Sequence, residues 1–225
     1  MTNHRVISET REVRDFDRVR LEDYGELIIT QGDEESLIIE ASPDMMSRIV
    51  SEVRDGILIL RIGHTWLERF LSPILRLDMT PIRFRLTMRR LTALGVYGAA
   101  SVDVPSFQTE SLALTMSGAG KIDLSALTAE SLLVKLPGAG RVTAAGQVEK
   151  QSLKLTGAGS YRAGDLRSES ASVRITGAGS ATVWVERDLD VHLSGMGRVK
   201  YYGAPKVKQS ITGMGSVAGL GEHGE

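Results

Sequence analysis

This sequence predicts an all-β fold, a right-handed parallel β-helix built from turns of about 19 to 20 residues. Three observations predict it. Glycine motifs recur at intervals of 18 to 20 residues, from Gly98-Ala-Ala through Gly118-Ala-Gly120, Gly138-Ala-Gly140, Gly157-Ala-Gly159 and Gly177-Ala-Gly179 to Gly195-Met-Gly197 and Gly213-Met-Gly215. Apolar and polar residues alternate around each motif, the period of a half-buried strand. Met116 and Leu114, Leu136 and Val134, Leu155 and Leu153, Ile175 and Val173, and Leu193 and Val191 precede the glycines by two and four residues. The spacing also fits no competing repeat: a hexapeptide helix repeats its apolar residues about every six, a leucine-rich repeat carries a Leu-x-x-Leu-x-Leu frame, and a propeller blade needs about forty residues. A unit this short cannot bury its own apolar face, so successive units must stack around one continuous core.

Taken in order, residues 1–15 read as an N-terminal extension. Residues 16–95 read as an irregular β region packed on the same solenoid, with strands at Val19-Arg-Leu, Leu27-Ile-Ile-Thr, Leu37-Ile-Ile-Glu and Ile57-Leu-Ile-Leu-Arg-Ile. Gly32-Asp33 and Asp55-Gly56 are hairpin-type turn signals, so antiparallel pairs or irregular first turns are expected there. A short helix is expected near 43–53. Ser42 suits its cap, Pro43 its first position, and Met46, Ile49, Val50 and Val53 form one stripe. Such a helix would plug the open end of the solenoid.

The stretch Trp66-Leu-Glu-Arg-Phe70-Leu71-Ser-Pro-Ile74-Leu75 is strongly apolar and has helical spacing up to Pro73. It is expected to fold over the core; the alternative is an exposed patch of Trp66, Phe70 and Leu71 for self-association or membrane-surface contact. Around it, Arg61, Arg69, Arg76, Arg83, Arg85, Arg89 and Arg90 are expected to balance the acidic first quarter of the chain rather than to mark an anion-facing surface.

Residues 96–219 form the regular turns. Each is expected to hold two short strands joined at Gly-x-Gly, with a second corner near Ser125-Ala126, Ala145-Gly146, Gly164-Asp165 or Gly203-Ala204. The glycines Gly98, Gly118, Gly120, Gly138, Gly140, Gly157, Gly159, Gly177, Gly179, Gly195, Gly197, Gly213 and Gly215 are corner residues, because so sharp a bend favours positive φ. The residue between them is expected to point inward, with Met196 and Met214 filling a wider cross-section. Residues 220–225 read as a flexible tail, and the last turn, having no next neighbour, is expected to be a dimer contact or to be poorly shielded by that tail.

Composition narrows the chemistry. The net charge of −1 over 225 residues lacks the basic field of a nucleic-acid binder. With no cysteine, disulfide frameworks, cysteine nucleophiles and Cys-based metal sites are excluded. His4, His64, His192 and His223 have no metal-ligand spacing, so neither metal nor cofactor is expected. No apolar run reaches the roughly twenty residues of a membrane-spanning helix, and no apolar segment of signal-peptide type follows Met1-Thr-Asn-His-Arg. Asp103, Asp123, Asp165 and Asp190 do not share a column, and no serine has a His/Asp pair in reach of its pattern. The Gly-x-Gly motifs open no helix, unlike nucleotide loops.

Stacking converts sequence columns into ladders spaced about 4.8 Å apart. Lys135, Lys154, Arg174 and His192 then form an outward cationic column. It is either a linear site for an anionic polymer such as an acidic glycan, or the ordinary polarity of a solvent face. Glu110, Glu130, Glu149 and Glu169 form a comparable acidic column near a corner.

The opening Phe16-Asp-Arg-Val-Arg-Leu, then Gly25-Glu-Leu-Ile-Ile-Thr-Gln-Gly32, Glu40-Ala-Ser-Pro-Asp-Met-Met, Val53-Arg-Asp-Gly-Ile-Leu-Ile-Leu and the serial Ser/Thr-Gly-Ala-Gly turns together resemble the bacterial head GIN domain family of auto-transporter adhesins. The resemblance covers nearly the whole chain and brings no catalytic residues with it. It implies an exported protein, often a lipoprotein; the missing leader and lipobox cysteine point instead to the cytoplasm. The expected function is a non-enzymatic, adhesin-like binding module of the bacterial cell envelope. A self-assembling intracellular scaffold of the bactofilin kind is the alternative, and a polysaccharide-processing enzyme, by fold analogy alone, the second. Expected partners are a glycan or other envelope component, or a second copy through the solenoid ends or the 64–75 segment.

Overall fold

The computed structural model describes residues 6–63 and 82–224; Trp66, Phe70 and Leu71 lie outside them. Its elements begin with β1 (Ile7–Arg11), β2 (Arg18–Leu21), β3 (Tyr24–Gln31), β4 (Ser36–Ala41), α1 (Pro43–Met46), β5 (Ile49–Arg54), β6 (Ile57–Ile62), β7 (Arg83–Met88), β8 (Ala93–Val96) and β9 (Ala99–Val104). The long strands follow: β10 (Phe107–Met116), β11 (Lys121–Leu136), β12 (Arg141–Leu155), β13 (Ser160–Gly177) and β14 (Ser180–Gly195), then β15 (Arg198–Tyr202), β16 (Lys206–Gly213) and β17 (Ser216–Gly219). They form a β-solenoid of about 6 turns.

Two parallel ladders run its length. The residues that lead into the glycine corners stack as β6, β2, β8, β10, β11, β12, β13, β14 and β16. Those that leave the corners stack as β7, β3, β9, β11, β12, β13, β14, β15 and β17. A shorter ladder between them aligns Phe107, Leu127, Gly146 and Leu166. The register shifts beside it, between Leu124 and Leu127, Thr143 and Ala145, and Ala163 and Arg167, fall at the expected second corners. Alternation sends Ile122 and Leu124, then Leu132, Val134 and Leu136, of β11 inward, with Leu127 and Ala129 buried in the opposite parity between them, and one apolar cluster extends from Val13 to Val199.

The glycines act mainly through space. A Cβ on Gly118 would overlap the carbonyl oxygen of Gly98 in the preceding turn, and one on Gly98 that of Asp23. Within the Gly-x-Gly motifs positive φ enters only in the later turns, at Gly177, Gly195 and Gly213, whose φ values are 140°, 122° and 115°. The residue between the glycines points outward, not inward: Ala119, Ala139, Ala158 and Ala178 are exposed, and Met196 and Met214 are 61% and 81% exposed. With both glycines held against the turn below, only the outer side has room for a side chain.

The N-terminal region departs from expectation in three places. The helix is a single turn, Pro43–Met46, with the Ser42 hydroxyl accepting from the Met45 amide at 3.4 Å. Residues Ile49–Arg54 are strand instead, antiparallel to β6 across Asp55-Gly56. Positive φ at both turn residues, 50° and 72°, makes the hairpin turn that the β-branched flanks then extend. Gly32-Asp33 closes no hairpin, because β7 lies between β3 and β4, parallel to one and antiparallel to the other. Residues 7–11, expected as an extension, are β1, paired antiparallel with β4.

The C-terminal tail is docked rather than loose. The Leu220 amide donates to the Tyr201 carbonyl and the Gly203 amide to that of Gly221. His223 then stacks on Trp184 at 4.3 Å between centroids, meets the edge of Tyr202, and brings Nε2 within 3.1 Å of Asp165 Oδ1.

Candidate functional site

The expected cationic column is a physical ladder. Lys135 pairs in register with Lys154, Lys154 with Arg174, and Arg174 with His192, flanked by Thr115 and Ser210 at the two ends. Parity explains it. Each residue lies between two buried aliphatics, such as Val134 and Leu136, so its side chain must leave the core. All four are exposed.

What surrounds the ladder matters as much as the ladder itself. Among the described residues, Lys135, Lys154 and Arg174 have no carboxylate within ion-pair distance; Arg174 reaches only the Ser172 hydroxyl, at 3.3 Å. His192 has Asp190 at 3.5 Å. The arginines of the N-terminal turns contrast with this: Arg61 faces Glu52, Arg83 faces Glu26, Arg85 faces Glu40 and Arg90 faces Asp17. They are balanced by local acids. Adjacent like charges about 4.8 Å apart repel by roughly 1 kcal/mol even in water, so the column holds uncompensated potential.

Sequence reading missed three more cations on this side, Lys150, Lys206 and Lys208. Their signal was available, since each stands an even number of residues from a ladder position and so shares its face. With Leu133, Ala171, Leu189 and Val207 they line a groove of about 640 Å³, whose acids are Asp188 and Asp190.

The acidic column occupies the neighbouring bend. Glu110, Glu130, Glu149 and Glu169 drop out of the pairing between successive turns and line a second groove, of about 740 Å³. At its far end Arg187 pairs with Glu169 at 2.5 Å and Arg167 with Glu186 at 3.2 Å. No group of metal-binding side chains is assembled among the described residues. The two sides of the bend thus carry opposite charge. No described helix is long and apolar enough to cross a membrane.

A family model described as "Putative auto-transporter adhesin, head GIN domain" matches residues 15–205. Among solved structures, a putative adhesin from Bacteroides fragilis superposes with a TM-score of 0.88 at 24% identity, covering 96% of this chain and 97% of its own. A putative adhesin from Parabacteroides distasonis gives 0.76 at 18% identity, covering 97% and 98%. A structure from the same organism named a putative lipid binding protein gives the same values, 0.76 and 18%, with 97% and 98% covered. At these identities the likeness is one of fold. No functionally curated protein matches the sequence.

Proposed function

Because the chain belongs to the family described as "Putative auto-transporter adhesin, head GIN domain", we propose that it is a non-enzymatic, adhesin-like binding module of the bacterial cell envelope, and that its ligand is an anionic polymer held along Lys135, Lys154, Arg174 and His192. One observation carries the ligand class: three cations in register with no ion-pair partner among the described residues, in contrast to Arg61, Arg83, Arg85 and Arg90 of the N-terminal turns, each of which faces a carboxylate. An extended polymer with repeating carboxylates or sulfates suits a rigid row spaced about 4.8 Å apart and spanning roughly 14 Å. Binding would replace mutual repulsion with attraction, and electrostatic steering would speed capture.

A self-assembling scaffold is the second reading. The observation in its favour is the last turn, where Val207 and Ile211 stand exposed at an unpaired edge. A screen against glycans and lipids separates the ligand question. The Lys135→Ala/Lys154→Ala/Arg174→Ala variant is expected to lose the acidic glycan hits and to keep its fold. Unchanged binding to every hit would remove the ladder as the site.

A further inference from the structure

Inward-facing positions are sealed along the solenoid until the last turn. Leu189 and Leu193 are 1% and 2% exposed, whereas their register partners Val207 and Ile211 are 37% and 40% exposed. All eight residues of β16 are exposed. At the opposite end only Arg54 of β5 is.

The backbone shares this asymmetry. Outward-facing residues donate to the preceding turn, as Ala113 does to the Thr92 carbonyl and Ser117 to that of Val96. The inward-facing residues between them therefore direct their peptide groups to the following turn. Among the described residues no following turn covers β16. Val207, Gln209 and Ile211 thus present unpaired amides and carbonyls on the edge where their side chains leave the core uncovered.

We propose that this edge docks a second copy of the chain, with β16 pairing antiparallel to the partner's β16 about a two-fold axis at Gln209. The segment Lys206-Val-Lys-Gln-Ser-Ile-Thr212 is self-complementary about that residue. Val207 falls opposite the partner's Ile211, Lys208 opposite the partner's Ser210, and Lys206 opposite the partner's Thr212. The apolar column continues across the junction. Lysines on an edge usually guard against pairing, yet here each meets a hydroxyl rather than another cation, so the repulsion that protects other edges is absent. The residues whose peptide groups face outward, 207, 209 and 211, are also the ones this register places in hydrogen-bonded pairs. The symmetry is isologous and closes at two copies, unlike a head-to-tail stack. It also sets the two lysine faces side by side in one plane, which doubles the length available to a polymer.

Sedimentation of the 225-residue chain over roughly a hundredfold range of concentration is expected to give a monomer–dimer equilibrium that stops at the dimer. Gln209→Pro removes an amide on the free edge only, and is expected to weaken the dimer more than tenfold while the unfolding transition stays nearly unchanged. Ser210→Pro, which removes an amide bonded to β14, is expected to destabilise the fold itself. A second test does not depend on proline being tolerated. The chain has no cysteine, so Gln209→Cys creates one thiol at the two-fold position, where paired Cα atoms about 5.5 Å apart allow a disulfide. Oxidation is expected to yield a covalent dimer with Gln209→Cys alone, and with Val207→Cys and Ile211→Cys only when mixed. A monomer at every concentration, assemblies that grow past the dimer, or equal crosslinking by Val207→Cys alone would each overturn the proposal.

Discussion

At Gly118 and Ala119 two adjacent small residues have different reasons to be small. Gly118 has no room for a Cβ, because the Gly98 carbonyl occupies that space. Gly118→Ala is therefore expected to cost about 3 kcal/mol, whereas the exposed Ala119→Met is expected to stay within about 0.5 kcal/mol, as the methionines at 196 and 214 suggest. Urea unfolding of the two variants checks both. The motif was legible in the sequence, but its physical cause was only half so. Positive φ is a local property that glycine advertises, while close approach to the next turn depends on stacking that no single repeat encodes. The same limit hid Gln151, whose parity with Leu153 and Leu155 places it inside. There it accepts from the Tyr161 hydroxyl at 3.0 Å and donates to Ser168 Oγ at 2.8 Å, and Ser168 donates to the Trp184 carbonyl. Gln151→Ala leaves two buried hydroxyls short of a partner and is expected to cost about 1–3 kcal/mol. Burial pushes the Tyr161 phenol well above its ordinary 10.0. A raised folded pKa means that this contribution is complete below about pH 10 and is lost as pH rises past it. Absorbance at the tyrosinate band should show Tyr161 ionising only with unfolding, and Tyr161→Phe should flatten the alkaline decline.

Among the elements, strands were read well where one alternation had one solution. In the run before each glycine corner the parities of β11 to β14 give a single inward set, such as Leu132, Val134 and Leu136, and register then places Lys135 against Lys154. The segment 43–53 was ambiguous because Met46, Ile49, Val50 and Val53 satisfy a helical stripe, while Ile49 and Val53 also fit a strand. The Asp55-Gly56 turn decided between them by returning the chain along β6. Gly56→Ala, at φ 72°, is expected to destabilise by about 1–2 kcal/mol. At the other end His223 holds the tail to Trp184. His223→Ala is expected to cost up to about 1 kcal/mol and to make the tail the first site of limited proteolysis. Tail composition alone, rich in glycine, reads as loose; the ring stack that docks it joins residues far apart in sequence.

For the whole molecule, the solenoid turns a sequence period into a surface, one side cationic and the next acidic. This explains why function was hard to read from any single turn: Lys135 alone is an ordinary surface lysine, and it joins the proposed site only through three neighbours from other turns. The proposed ligand of this row is an anionic polymer. The most direct measurement is amide chemical-shift mapping of the isotope-labelled chain during titration with an acidic polysaccharide such as polygalacturonate. Saturable shifts centred on residues 135, 154, 174 and 192, weakened by salt, are expected. Shifts confined to the groove of Glu110, Glu130, Glu149 and Glu169, or unchanged at high salt, would contradict that proposal.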